Sequence, residues 1–338
     1  MNQVQIRNIQ EFATTFELAE DLQNSRFLIT GATGLIGSTL INCLLSLGKD
    51  IDIIAPIRNL GKAQVIFNNC KVKLIECDLA TFNYDSLGDI DYIVHCAAPT
   101  SSRYFMEHPV ETASTIFQVS DTLLRYASKH AVKCYLYLSS MEVYGSIFGE
   151  RIITEDMQGY LNPMDVRSSY PMAKRMVENL CCLYANEYGV NAKIARLTQT
   201  TGAGTAKNDN RAIVQFVRCA VENKHIVLQT EGGSARPYCY TIDAVSAMLY
   251  ILLKGETGQA YNVANEDTYM SIRELAECVR RIINNNISVN TIINDIGYAA
   301  PSHLPLSTEK LKRLGWRPKY DMEALLLNMA EDLALELL

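Results

Sequence analysis

Metal-ligand spacing and paired cysteines are what this 338-residue sequence lacks: its ten cysteines form no Cys-x-x-Cys pair, and its five histidines show no ligand pattern. Neither a zinc site nor a disulfide framework is indicated, and reduced thiols in a cytoplasmic protein are expected. Charge of one sign is missing too, since 31 basic and 37 acidic residues, net −6, are spread along the chain. Without a basic stripe there is no footprint for nucleic acid or an anionic membrane surface, so any phosphate must be met locally. No apolar run is long enough for a membrane span, and MNQVQIRNIQEFATTFELAEDLQNS lacks the basic start and apolar core of a secretory signal. Residues 1–24 are read as a short helical extension of a soluble protein.

What is present begins with RFLIT, an apolar strand that runs into GATGLIG and a helix expected over 38–47. Strand, glycine turn and helix open a βαβ unit. Further apolar strands are read at IDIIAPI, VKLIEC, YIVHCAA, CYLYLSS and AKIARLT, with helices between most of them, including 109–129 and 168–188. Strands without polar alternation that take turns with helices predict a parallel sheet covered on both faces, a Rossmann-type doubly wound α/β fold. After Thr198 the pattern loosens into QTTGAGTAKNDNR and QTEGGSARPYCYT, read as glycine-rich loops closing over a ligand. Two short helices, SIRELAECVRRII and STEKLKRLGW, follow with Ser271 and Ser307 as N-caps. The expected division is a nucleotide-binding domain of 25–197 plus about 238–264, and a smaller C-terminal substrate-binding lobe of about 198–237 plus 265–338.

The glycine spacing in GATGLIG suits a tight turn, close approach of a pyrophosphate to the backbone and close packing of helix on strand. The turn, Gly31, Thr33, Gly34, Leu35, Ile36 and Gly37, is therefore assigned to a dinucleotide. At the end of the second strand an acidic residue would hold the ribose of NAD, yet Ala55 and Pro56 stand there, followed by Arg58. NADP is thus an option beside NAD, with Arg58 either meeting a 2′-phosphate or standing as a solvated surface charge. Asp78 and Leu79 after the third strand, and Ala97 and Ala98 after the fourth, are also taken as cofactor-binding.

SSYPMAKR supplies Tyr170 and Lys174, one above the other on a helix face. A free tyrosine titrates near pH 10, about three units too high for a base at neutral pH. A nearby ammonium and a positively charged nicotinamide favour the phenolate, so Tyr170 can take a proton while hydride leaves the same carbon. Ser140, at the end of CYLYLSS, would donate a hydrogen bond to the oxygen being oxidised.

With these residues assembled, the chain after residue 25 resembles extended short-chain dehydrogenases/reductases of the NAD-dependent nucleotide-sugar epimerase, dehydratase and decarboxylase group. The segments HCAAPTSSRYFMEHPVETASTI, LNPMDVRSSYPMAKRMVENLCCLYANEYGV and GGSARPYCYTIDAVSAML are most similar to UDP-glucuronate decarboxylases. Those proteins carry a related NP…R…Y…GKR segment and an arginine before a Y-x-x-D segment. The resemblance implies Ser140, Tyr170 and Lys174 as the oxidation set, with Lys174 also on the nicotinamide ribose. It implies Glu142 as a carboxylate acting near sugar C5 and Arg236 as a substrate-binding arginine, with Pro99, Ser140, Gln199 and Arg211 also along the substrate. A homodimer through the helices at 109–129 and 168–188 is implied as well.

Oxidation at C4 of a hexuronic acid puts a ketone beta to the C5 carboxylate, so carbon dioxide can leave and hydride can return, with no metal. Glu142 is expected on the face of Ser140 if the strand continues through it, its alternative being an ion-pair partner; Arg236 could instead tie two loops together. Met141 stands where 4,6-dehydratases place an acid before the glutamate, which removes the proton donor for water loss. Gln199 and Gly202-Ala203 replace the group's asparagine and Gly-Pro. Decarboxylation and, as its alternative, epimerisation at C4 or C5 remain open. A silent NAD(P)-binding sensor is the non-enzymatic alternative, against which the intact Ser140, Tyr170 and Lys174 argue.

Overall fold

The structure, a computed structural model, describes residues 1–68, 70–147, 149, 151–293 and 301–335, so 294–300 and 336–338 of the expected lobe lie outside the described residues. Its strands are β1 (Arg26–Thr30), β2 (Asp52–Ile57), β3 (Val72–Glu76), β4 (Tyr92–His95), β5 (Cys134–Ser140), β6 (Ala192–Leu197), β7 (Gln199–Thr201), β8 (Ile226–Leu228), β9 (Ala235–Tyr240), β10 (Ala260–Val263), β11 (Asn265–Ser271) and β12 (Val289–Thr291). Its helices are α1 (Gln3–Thr15), α2 (Leu35–Ser46), α3 (Leu60–Ile66), α4 (Ser102–Glu107), α5 (Pro109–Lys129), α6 (Ser169–Tyr188), α7 (Ala212–Val221), α8 (Thr241–Lys254), α9 (Ile272–Ile283), α10 (Glu309–Lys312) and α11 (Met322–Leu335).

Seven strands form one parallel sheet in the order β10-β6-β5-β4-β1-β2-β3. Along each strand, successive side chains enter opposite cores. Phe27 and Ile29 of β1, Ile53 and Ala55 of β2, and Leu136 and Leu138 of β5 pack in the core that holds residues of α2 and α8. Leu28, Ile54, Tyr135 and Tyr137 pack in the core built with α5 and α6. Because both faces are covered, the central positions on both sides of β1, β2 and β5 are apolar, which is why these strands read as runs without polar alternation. The winding reverses between β1 and β4, and ligands of open α/β sheets lie in the crevice at such a point.

The two segments read as glycine-rich loops contain strands. β7 pairs parallel with β9, which pairs antiparallel with β11, to give a separate three-stranded sheet; β8 and β12 make a further pair. Threonine and tyrosine around the glycines suit strands, and the glycines fall in the connections. Ser271 caps α9 as expected, its hydroxyl accepting from Glu274 N at 3.1 Å while the Glu274 carboxylate accepts from Ser271 N at 2.7 Å. Ser307 does not cap α10: Thr308 holds that position, and the Ser307 hydroxyl accepts from Glu309 N at 3.3 Å.

Helix α1 lies on α2, α8 and α11, burying Ile9 and Phe12 in the first core. Among the described residues no helix is long and apolar enough to cross a membrane.

Candidate active site

The crevice between β1 and β4 is built around two glycines. Gly31 ends β1 with φ +68°, and a Cβ there would lie 2.7 Å from Ala97 N, just past β4. At Gly37 a Cβ would lie 2.4 Å from Gly31 O, so only glycine lets α2 pack this closely on the turn. Gly34 is the N-cap of α2 and contributes no capping side chain, and the first turn carries no acid. The helix therefore opens at Leu35, inside the glycine turn and earlier than position 38, with its first amides available to an anion. Thr30, beside Gly31, ties the two strand ends together: its hydroxyl accepts from Ala97 N at 3.2 Å and is 2.7 Å from His95 Nδ1. This cradle fits a dinucleotide pyrophosphate.

Beside it, β2 ends in buried Ala55, Pro56 and Ile57, after which Arg58 is exposed. Asn59 does not reach for a ribose, because its side chain accepts from Lys62 N at 2.8 Å and caps α3. Asp78 is exposed and closes its own turn by accepting from Ala80 N at 2.8 Å, while Leu79 and Ala98 pack against the second core. Pro99 is half-buried in the loop that leads to α4.

Ser140, Glu142, Tyr170 and Lys174 converge at the C-terminal end of β5. Tyr170, 7% exposed, lies in the first turn of α6. Burial first, and then the charge of Glu142, push its phenol well above the usual tyrosine range, against a hydrogen bond with Ser140 and the charge of Arg167. Lys174 is buried one turn further on; its Nζ donates to Leu138 O at 2.7 Å and lies 4.6 Å from the Tyr137 ring and 5.7 Å from the Tyr170 ring. Burial brings its pKa down to about 7, against the charge of Glu178. In the chain alone, burial is the largest influence on the acidity of Tyr170.

Glu142 reaches the site by a different path from the one expected. The strand stops at Ser140, and Met141–Tyr144 form a single 3-10 turn, so strand alternation does not apply. The Ser140 hydroxyl caps that turn, accepting from Glu142 N at 3.2 Å. Met141 is 3% exposed and packs with Val143, Tyr144, Ile153, Leu304 and Leu306 in a third small core, under the Thr198 hydroxyl. It is filler between the main sheet and the C-terminal segments.

Two residues that were given no role complete the site. Arg167 Nη2 pairs with Glu142 Oε2 at 2.9 Å, and its guanidinium lies 5.6 Å from the Phe105 ring. Phe105, 1% exposed on α4, stacks on Tyr170. Arg167 was visible as the arginine of the NP…R…Y segment, but nothing in its spacing named Glu142 as its partner. Phe105 carried no signal beyond its apolar character.

The three remaining positions differ in how free they are. Arg211 is committed to the Asp209 carboxylate at 2.7 Å and to Thr200 O at 2.5 Å. Arg236, on β9, makes a long contact, Nη2 to Ser302 Oγ at 3.4 Å, and its buried Nε has no partner among the described residues. An orphaned guanidinium nitrogen is costly to bury and fits a group that accepts an anion. Gln199, at the start of β7, is half-buried opposite Tyr238. Among the described residues no cluster of three or more His, Cys, Asp or Glu is placed to hold a metal ion.

The sequence pattern of the NAD dependent epimerase/dehydratase family matches residues 27–264. UDP-glucuronic acid decarboxylase 3 of Arabidopsis thaliana is 29% identical over 320 residues, covering 93% of this chain and 90% of that protein. Among solved structures, UDP-glucose 4-epimerase of Thermotoga maritima superposes with a TM-score of 0.82 at 22% identity, over 93% of this chain and 100% of that one. UDP-glucuronic acid 4-epimerase of Bacillus cereus, in complex with UDP-glucuronic acid and NAD, gives 0.79 at 20% identity over 93% and 100%. These two likenesses are of fold.

Proposed function

This chain belongs to the NAD dependent epimerase/dehydratase family, and from that premise we propose that it modifies a nucleotide-sugar by transient oxidation at C4, as a UDP-glucuronate decarboxylase. The observation that carries this reading is the meeting of Ser140, Glu142 and Lys174 around Tyr170 at the end of β5. The name of the Arabidopsis relative, matched over nearly the whole chain, supports the decarboxylase over other members.

The first turn of α2 and the glycine turn would hold the pyrophosphate of NAD(P), with Lys174 at the ribose. Bound and oxidised, that cofactor supplies the hydride acceptor and a positive charge beside the phenol. Tyr170 takes the proton of the C4 hydroxyl, and Ser140 shares the hydrogen bond to that oxygen. The C4 ketone then lies beta to the carboxylate. Carbon dioxide leaves as the bonding pair passes into an enolate whose oxygen Tyr170 and Ser140 stabilise. Glu142 or water supplies the proton at C5, and return of the hydride to C4, with Tyr170 giving its proton back to the C4 oxygen, completes the UDP-pentose. We assign Arg236, whose Nε has no partner among the described residues, to the nucleotide phosphates, and Arg211 to the same anionic part of the substrate.

Incubation of the purified protein with UDP-glucuronate, followed by mass analysis, should show loss of carbon dioxide and a UDP-pentose. An isomer of unchanged mass would establish epimerisation instead, which the same residues can also perform. Turnover of no nucleotide-sugar by cofactor-loaded protein would overturn the enzyme reading.

We further propose a homodimer through α5 and α6. These helices pack on each other and leave Val110, Phe117, Met176 and Leu183 exposed at helical spacing. Sedimentation of Phe117→Glu should give a monomer. The ten free cysteines support a reducing, cytoplasmic setting.

A further inference from the structure

Arg167 and Glu142 sit at the ends of the two elements that carry the chemistry. Glu142 lies in the turn that follows Ser140, and Arg167 lies in the 3-10 turn, Val166–Ser168, that precedes Tyr170. Asp165 fixes the second turn, accepting from Arg167 N at 2.9 Å. The pair is held at 2.9 Å, with side chains 38% and 29% exposed, so it is reachable by a ligand. The guanidinium also packs over Phe105, the ring that is stacked on Tyr170. One ionic bond to Glu142 leaves other guanidinium donors for a second anion.

A uronate brought to Tyr170 adds a second carboxylate to this single guanidinium, and the two anions compete for it. We propose that the Glu142–Arg167 pair decides the fate of the 4-keto uronate: Arg167 held on Glu142 leaves the sugar carboxylate without a cation and lets it go, whereas Arg167 released from Glu142 retains it. The inference rests on the uronate reading given above.

The chemistry gives the pair its leverage. When the C5–carboxylate bond breaks, its electron pair passes into the C4–C5 enolate, the charge moves to the C4 oxygen, and the carbon departs as neutral carbon dioxide; C5 then takes a proton. A guanidinium on the carboxylate stabilises the starting anion more than the transition state and slows the step. Donors at the C4 oxygen, Ser140 and Tyr170, act in the opposite sense. A charge-assisted hydrogen bond lost in the step corresponds to a retardation of about 10-fold or more.

The test uses the cofactor-loaded enzyme with carboxyl-labelled UDP-glucuronate and three variants, Glu142→Gln, Arg167→Gln and the double substitution. The quantity read is the ratio of released carbon dioxide to products that are oxidised or epimerised at C4 but keep the carboxyl group. Being counted per oxidation event, this ratio is independent of how much variant folds and of any slowing at C5 protonation. Glu142→Gln should raise the share of retained carboxyl by about 10-fold or more. Arg167→Gln should keep the wild-type ratio, and the double variant should return to it despite a lower rate. An unchanged ratio in Glu142→Gln, or a double variant that behaves like Glu142→Gln, overturns the inference while the decarboxylase reading stands. A wild-type enzyme that returns only the C4 epimer, or does not oxidise the uronate, overturns that reading and the inference with it.

Discussion

The Phe105 ring lies parallel to the Tyr170 phenol, with centroids 4.2 Å apart and planes within 8°. Phe105 comes from α4, in the stretch that leaves β4, and Tyr170 from α6, so one stack joins the cofactor side of the crevice to the catalytic helix. A base whose ring is held on one face can turn less, and its hydroxyl stays toward Ser140.

Replacing Phe105 by leucine keeps an apolar side chain of similar bulk but removes the aromatic plane. Stability should fall by less than about 1.5 kcal/mol, while kcat falls by about 10- to 100-fold through misplacement of the phenol. Phe105→Ala should cost about 3–5 kcal/mol, since the residue is buried. Urea unfolding beside steady-state kinetics separates the two effects, and wild-type kcat in Phe105→Leu would show that the stack only fills space.

Tyr170→Phe removes one oxygen and leaves the stack in place. Turnover should drop by about 100- to 10,000-fold, with the cofactor's Kd, read by intrinsic fluorescence, close to wild type. Retained turnover would move the base to another residue, of which Glu142 is the first to test.

How much of this was legible in the sequence follows from the range of each interaction. The glycine turn is local, and its neighbours in the chain are its neighbours in space, so strand, turn and helix could be read together with the cofactor they suit. Six of the seven strands of the main sheet are long apolar runs; the seventh, β10, is Ala260–Val263, too short and too mixed to stand out. β7 and β9 are strands because they pair with each other, 39 residues apart in register at Gln199 and Tyr238, and no local pattern carries that pairing. The same holds at the site. Tyr170 and Lys174 share one helix and were found by spacing, whereas Glu142 and Arg167 meet across 25 residues and Phe105 reaches Tyr170 across 65. Strand alternation also misplaced the approach of Glu142, because a serine that caps the following turn ends the strand at Ser140.

His95 predicts an acid limit to the fold. It is 1% exposed, with Nδ1 2.7 Å from the Thr30 hydroxyl and Nε2 3.1 Å from the Ser120 hydroxyl. Ser120 donates to Ile116 O, so it accepts from Nε2–H, and in the neutral ring Nδ1 is then the acceptor of the Thr30 hydroxyl. Burial brings the ring's pKa down to about 3, with the charge of Lys174 acting in the same direction, so the ring is neutral near neutral pH. Unfolded, it titrates near about 6.5. Between those values the unfolded chain binds the proton and the folded chain does not, so stability falls as pH drops through this window, by at most about 1.4 kcal/mol per unit. Urea midpoints across the window should show a shallower slope for His95→Gln than for wild type; equal slopes would assign the acid loss to other groups.

Arg58 tests the choice between the two cofactors. With no carboxylate at the end of β2 to repel a 2′-phosphate, and an exposed guanidinium just beyond it, we expect NADP to bind at least as tightly as NAD. Arg58→Glu should weaken NADP by about 10- to 100-fold, the worth of a charge-assisted contact, and leave NAD nearly unchanged. Parallel losses for both cofactors, measured by titration calorimetry, would place Arg58 away from the 2′ position.

Lys174 makes the cost of the site measurable without substrate. Its ammonium is buried at 3% exposure with one carbonyl acceptor, Leu138 O, and burial lowers its pKa to about 7 from the unfolded value near about 10.4. Below about 7 both states carry the proton, and the folded chain bears the whole penalty of a buried charge. From there to about 10.4 only the unfolded chain holds the proton, so stability should rise with pH across that window. Lys174→Met removes the penalty: the variant should be more stable than wild type at and below neutral pH, by up to a few kcal/mol, with the two curves converging as pH rises. Cofactor affinity and turnover should fall in the same protein, because the group that burdens the empty fold is the one placed beneath Tyr170. If Lys174→Met were instead less stable at neutral pH, the bond to Leu138 would outweigh the buried charge, and Lys174 would hold the fold as well as the site.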